Sequence, residues 1–342
     1  INLPIGAVAL AMVTIVLHLP KRRSEGRVDY LGAGLLTVSI TSLVLLTTWG
    51  GTQYAWGSGM IIGLLVLGLA TLAAFLYVET RTAEPVLPLH IFRSANFSLI
   101  SVVGFLVGFT MFGALTFLPL YQQTVQGASA TNSGLLLLPM LLAMMVVSVI
   151  AGRVTTATGR YKIFPIVGGA LITVGLWLLS TMDVHTSRFT SGVFMAVLGA
   201  GMGFIMQITM LIAQNSVEMK DIGVGSSSAT LFRTIGGSFG VSLFGALFNH
   251  KVSHAMDLAG SAAATGGSAQ LDPASIAKLP AAAKDAYFHA VASGTHSVFL
   301  WGAVVSVFGF VAAFFVSETP LRGGAGKAPS SEDQPPLMAD AV

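Results

Sequence analysis

The 342 residues are 54% hydrophobic and only 9% charged, with a mean hydropathy of +0.81, whereas a soluble domain carries about 25% charged residues. Such a chain cannot clothe a water-facing surface, so a soluble enzyme or binding module is excluded and an all-α, polytopic membrane protein is expected. The net charge of +3 and pI of about 9.3 do not point to nucleic acid. The basic residues fall in loops between apolar runs, not along one face, and the absence of cysteine excludes disulfides and thiolate metal sites.

Taken in chain order, apolar runs long enough to cross a hydrocarbon core of about 30 Å recur nine times, at 3–19, 30–48, 59–79, 97–119, 134–151, 163–182, 190–214, 225–248 and 296–316. The chain opens inside the first of them, and Pro20-Lys21-Arg22-Arg23 follows where a signal peptide would carry small residues. The expectation is the C-terminal part of a longer protein. Between the second and third spans, Trp49 and Tyr54-Ala55-Trp56 supply aromatic groups suited to a membrane interface.

Alternating the loops gives one side Lys21, Arg22, Arg23, Arg27, Arg81, Arg93, Arg153, Arg160, Lys162, Lys220, Arg322 and Lys327. The other side receives only Arg188, Lys251, Lys278 and Lys284. By the positive-inside bias the first set is cytoplasmic, together with the C-terminus. Residues 250–293 read as a long external loop, with a short surface helix entered at Asp272-Pro273. Residues 320–342 read as a disordered cytoplasmic tail of Gly, Pro, Ser and Ala.

Polar groups inside the spans need a reason, because lipid does not solvate them. The spans at 163–182 and 296–316 carry almost none, which suits lipid-facing helices. Three others differ. The span at 97–119 contains Phe109 and runs into Pro119-Leu120-Tyr121-Gln122-Gln123. The span at 190–214 carries Gln207 and Gln214, with Asn215 beyond, among Met202, Phe204, Met206 and Met210. The span at 225–248 carries Arg233 behind Ser226, Ser227, Ser228 and Thr230.

Arg233 has two readings: a long side chain snorkelling to cytoplasmic headgroups, or a cation facing a central water-filled path. Gln207 and Gln214 are seven apart and share a helix face. They serve either an adaptable Met-lined pocket or hydrogen bonds between helices. Gln122 and Gln123 lie at the outer interface, where plain solvation explains them equally well. The Gly-x-x-x-Gly spacings at Gly199/Gly203 and Gly236/Gly240 predict close backbone approach between helices.

His250 and His254 have the spacing of a metal pair but only Asp257 nearby, a weak signal. With no nucleophile elbow, zinc-protease helix or phosphate loop, neither catalysis nor a cofactor is expected. No Asp or Glu stands mid-membrane, although proton-coupled carriers need an embedded carboxylate. Either coupling resides upstream of Ile1 or the chain is not proton-coupled.

Several motifs then point one way. Ile1-Asn2-Leu3-Pro4-Ile5-Gly6, Glu84-Pro85-Val86-Leu87-Pro88-Leu89-His90-Ile91-Phe92, Phe117-Leu118-Pro119-Leu120-Tyr121-Gln122-Gln123, Gly127-Ala128-Ser129-Ala130 and Arg233-Thr234-Ile235-Gly236-Gly237-Ser238-Phe239-Gly240 occur in order. This series resembles the fourteen-span drug:proton antiporters, a branch of the major facilitator superfamily. The resemblance implies that the chain supplies spans six to fourteen, and that the spans at 30–48 and 59–79 are extra helices between two six-helix halves. It also implies a cavity among the spans at 97–119, 134–151, 190–214 and 225–248. In the cytoplasmic loop Gly152-Arg153-Val154-Thr155-Thr156-Ala157-Thr158-Gly159-Arg160, Thr156 stands where the superfamily often has Asp. Gln207 lies near a position often held by proline, so a straighter helix is expected.

The resulting division is residues 1–29 as a first span with a basic loop and 30–96 as two linker helices with a cytoplasmic loop. Residues 97–319 form a six-helix bundle containing the external loop 250–293, followed by the tail 320–342. The expected function is proton-driven export of amphiphilic, cationic or neutral small molecules from a bacterial inner membrane by alternating access. The substrate path would use Arg233, Gln207, Gln214, Asn215, Phe109, Tyr121 and Gln122, and the loop motif Gly152, Arg153, Gly159 and Arg160. Expected partners are the small-molecule substrate, protons, the lipid bilayer and an N-terminal helical bundle. A non-transporting remnant or scaffold, or a carrier of one metabolite on the same fold, is the competing reading.

Overall fold

The computed structural model describes residues 6, 10–15, 29–50, 53–82, 85–258, 271 and 273–320. The first expected span, apart from a helical stretch at 10–15, lies outside the described residues. So do the basic loop after it, Glu84, Asp272 and the tail from 321 onward.

Lipid offers no hydrogen bonds, so a spanning segment must satisfy its backbone internally. The described residues do this as helices, and no strand occurs among them. The helices are α1 (Tyr30–Trp49), α2 (Gly59–Glu79), α3 (Ala95–Thr124), α4 (Ala130–Leu136), α5 (Leu138–Thr158), α6 (Ile163–Ser180), α7 (Arg188–Asn215), α8 (Ile222–Leu258), α9 (Pro273–Lys278) and α10 (Ala281–Phe314). Each of the eight spans expected from residue 30 onward has a helix long and apolar enough to cross a bilayer.

Helix starts carry the capping residues that free N–H groups demand. The Asp29 carboxylate accepts from Gly32 N at 2.8 Å, and the Ser187 hydroxyl from Thr190 N at 3.1 Å. α5 stops at Gly159, whose φ of 71° suits glycine and whose N–H donates to the Thr155 carbonyl at 2.8 Å. This is the tight turn expected of the loop motif.

α3 and α7 form the middle of the bundle. α3 packs on α8 and α10, and α7 lies between α5 and α6. The linker pair α1 and α2 pack on each other, and α1 reaches the bundle through Thr48 Oγ1 and Ser242 Oγ, 2.8 Å apart. Glycines set the two tightest crossings. A Cβ on Gly199 or Gly203 would overlap the carbonyl oxygens of Met140 and Met144 on α5. One on Gly236 or Gly240 would overlap those of Phe105 and Phe109 on α3. The Gly-x-x-x-Gly reading therefore describes both interfaces, where small residues let backbones touch.

Two expectations are corrected. α6 and α10 are not simply lipid-facing: 50% and 44% of their apolar stretches are buried, against 11% for α4–α5. Gly168 and Gly169 let α6 lie tightly on Phe204 and Phe310, and the hydroxyls of Thr173 and Ser306 meet at 2.9 Å. Few polar groups on a helix mean only that it needs no wet face, and glycine can bury the dry one. Second, the segment 250–293 is helical at both ends, because α8 continues to Leu258 and α10 begins at Ala281. Phe248, Val252 and Met256 pack there against the face of α10 that carries Gly294 and Val291, enough apolar surface to carry both helices on.

Candidate functional site

α3, α5, α7 and α8 enclose a cavity of about 390 Å³. α3 supplies Gly104 and Val107, and α5 supplies Met144, Met145 and Ser148. α7 supplies Ile205, Met206, Gln207, Thr209 and Met210, and α8 supplies Ala229, Thr230 and Arg233. The surface is mostly apolar with a few polar groups, and the volume falls in the range of about 300–1,000 Å³ typical of small-molecule sites.

The polar groups differ in how they are satisfied. The Thr209 hydroxyl donates to the Ile205 carbonyl and the Thr230 hydroxyl to the Ser226 carbonyl, so each is held by its own helix. The Gln207 amide and the Arg233 guanidinium make no side-chain hydrogen bond or ion pair among the described residues. Arg233 stands eleven residues into α8, about 16 Å of rise from its start. Its register is rigid, because a Cβ on Gly108 of α3 would overlap the Arg233 carbonyl. The same crossing continues one turn and two turns later at Gly236 and Gly240.

The structure thus brings Arg233 and Gln207 together on one cavity. The other five expected path residues are elsewhere. Gln214 Nε2 donates to Ser226 Oγ at 3.0 Å, and Asn215 Nδ2 donates to Thr319 Oγ1 at 3.0 Å and to the Pro320 carbonyl at 3.2 Å. The Tyr121 hydroxyl donates to the Asp183 carbonyl. Gln122 is not solvated at an interface: it is buried, with Nε2 3.5 Å from Met195 Sδ. Phe109 packs edge-on against Phe244 with ring centroids 4.9 Å apart. Met144, Met145 and Ser148 were not singled out by their chemistry. The adjacent methionines with a serine one helical turn after Met144 were the available signal.

Gln207 also borders a second opening of about 510 Å³, next to Gly152, Arg153, Thr155 and Thr156 of the loop motif. The Thr156 hydroxyl bonds back to the Gly152 carbonyl at 2.9 Å, so it forms no latch between helices. Arg153 and Arg160 form no ion pair among the described residues. A carboxylate arrives from another direction: Glu318 Oε1 accepts from Tyr161 N at 3.0 Å, immediately before α6, where negative charge complements the helix dipole.

Around Tyr161 the segment after α10 is tied down at several points. Tyr161 OH lies 2.9 Å from Thr319 Oγ1 and accepts from Thr319 N at 2.7 Å. Asn96 exchanges two 2.8 Å hydrogen bonds with the backbone of Ser317. On the same side, His90 Nε2 and Asp221 Oδ2 pair at 2.8 Å, joining the turn before α3 to the turn before α8.

At the other end of the bundle, the Thr186 hydroxyl and the His185 N–H hold the Asp183 carboxyl below its ordinary value. The rings of His250 and His254 are 6.3 Å apart. No group of three or more candidate metal ligands occurs among the described residues.

Comparison with known proteins agrees with this architecture. The Major Facilitator Superfamily profile matches residues 5–241. An uncharacterised MFS-type transporter of Mycobacterium tuberculosis (strain H37Rv) is 40% identical over 321 residues, covering 94% of this chain and 47% of its own. The multidrug transporter protein MdtP of Bacillus subtilis is 38% identical over 253 residues, covering 73% of this chain and 46% of its own. The chain therefore spans about half the length of these curated relatives.

Among solved structures, a bacterial homologue of the human lysosomal transporter Spinster, in an inward-facing and occupied conformation, aligns with a TM-score of 0.56 at 16% identity. The alignment covers 87% of this chain and 68% of that one, a likeness of fold alone. The chain is a multi-pass membrane protein and not an enzyme: it belongs to the Major Facilitator Superfamily.

Proposed function

We propose that this chain forms the substrate-handling half of a proton-coupled efflux transporter for amphiphilic small molecules, of the fourteen-span type, in a bacterial inner membrane. The observation that carries the reading is the cavity among α3, α5, α7 and α8, Met-lined and provided with two unsatisfied polar groups, Gln207 and Arg233. Methionine side chains repack around different shapes, and two free hydrogen-bonding groups orient a guest without demanding one identity. The multidrug role of MdtP in its own organism supports the same substrate breadth here.

The open face of α5 beside the cavity, together with the half-length match to the relatives, supports a second helical bundle as its counterpart. Rocking of the two bundles would expose the cavity to each side in turn. Since no Asp or Glu lines the cavity, the proton-binding carboxylate is assigned to that counterpart. Positive-inside bias orients the Arg153–Lys162 loop and the C-terminus to the cytoplasm.

The test is dye efflux by the full-length protein in everted vesicles, with and without a proton gradient. Gradient-dependent efflux, lost when Met206→Trp fills the cavity in a normally inserted protein, is the expected result. Efflux that ignores both the gradient and the obstruction would discard the reading.

A further inference from the structure

We infer that the cavity selects its substrates by a compact negative charge, so that the favoured guest is an amphipathic organic anion with a carboxylate or sulfonate on an apolar body. This deepens the transport reading and rests on it. The lining holds one formal charge, the Arg233 guanidinium, and no Asp or Glu. The ion pairs among the described residues are His90–Asp221, Lys220–Glu218 and His289–Asp285, and none involves Arg233.

The described acidic groups sit at helix ends and turns, such as Asp29, Asp183 and Glu318, where Gly32, Thr186 and Tyr161 already engage them. A guanidinium in a low-dielectric site without a counter-charge is costly, and its planar fork matches the oxygens of a carboxylate or sulfonate. An organic cation would meet the same group as a repulsion.

Position argues against snorkelling. Arg233 lines the cavity deep along α8, and Gly108 holds its backbone against α3, so the charge is built into the crossing of two helices. Gln207, on the opposite side of the lining, adds a neutral donor and acceptor. The methionines of α5 and α7 accept the apolar body without fixing its shape.

The experiment uses the full-length protein, purified and reconstituted, and three fluorescent probes: an anilinonaphthalene sulfonate, the same anilinonaphthalene lacking its sulfonate, and ethidium. Wild type is expected to bind the sulfonate about tenfold or more tightly than its uncharged analogue, the fold-change of one charge-assisted hydrogen bond. Arg233→Gln should bring the two within about twofold by weakening the sulfonate alone, and Arg233→Lys should restore part of the preference. Should Arg233→Gln fail to insert, Gln207→Glu provides a second reading, expected to weaken the sulfonate and spare the uncharged analogue.

Equal or tighter binding of ethidium or the uncharged probe to wild type overturns the inference. So does an Arg233→Gln protein that loses both naphthalene probes in equal measure. Binding is read separately from flux. Absent gradient-driven transport of all three probes would count against the transport reading, while the charge preference is still decided by the binding series.

Discussion

Two polar regions of the bundle are built on opposite terms. Around Tyr161, Asn96, Asn215 and Glu318, donors meet acceptors across α3, α6, α7 and the segment after α10. Around the cavity, Arg233 and Gln207 meet nothing among the described residues. The first arrangement is what stability asks of buried polar groups. The second costs stability and persists where a site awaits a guest. The contrast separates structure from function within one helix: Gln207 and Asn215 both lie on α7, and only Asn215 has partners.

The comparison is broken most severely at Tyr161, which is fully buried and hydrogen-bonded. Tyr161→Ala should cost about 3–5 kcal/mol, by analogy with large aromatic truncations, and lower the melting temperature of the detergent-solubilised full-length protein sharply. Gly236→Ala, which drives a methyl into the Phe105 carbonyl, should cost about 1–3 kcal/mol. Gly134→Ala, with open space around it, should leave stability unchanged or slightly raised. Glu318→Gln should cost about 0.3–1 kcal/mol and lose most of that effect in high salt, since the carboxylate is exposed and acts on a helix terminus. Arg233→Gln should change stability least, within about 0.5 kcal/mol, because no partner is abandoned. A large loss of melting temperature in Arg233→Gln would show that the cation is structural, and the contrast would fall.

Much of this was legible in the sequence, for identifiable reasons. Bilayer-length apolar runs gave the helices from Tyr30 to Phe314 because hydrocarbon permits little else. The glycine spacings of α7 and α8 announced the two crossings, since glycine alone admits a carbonyl at that distance. Arg233 and Gln207 stood out because each is expensive in lipid.

The failures share a cause: spacing along one helix says nothing of what faces it. Gln214 does share the face of Gln207, yet seven residues are about 10 Å of rise, and at that height the neighbour is Ser226. Tyr121 and Gln122 look wet in sequence and are buried by α7 and the turn before it. α5 contributes three lining residues that its own chemistry hardly marks. Only the family resemblance put its span at the cavity.

α8 has one further consequence. Its 37 residues make a rod of about 55 Å, against a hydrocarbon thickness of about 30 Å. Arg233 lies near its fulcrum with α3, while Met256 near the tip is clamped to α10. A stiff rod magnifies: tilting by about 5° at Arg233 swings a tip some 35 Å away by about 3 Å. A guest that merely tugs on one guanidinium would thereby be felt at the far surface of the protein.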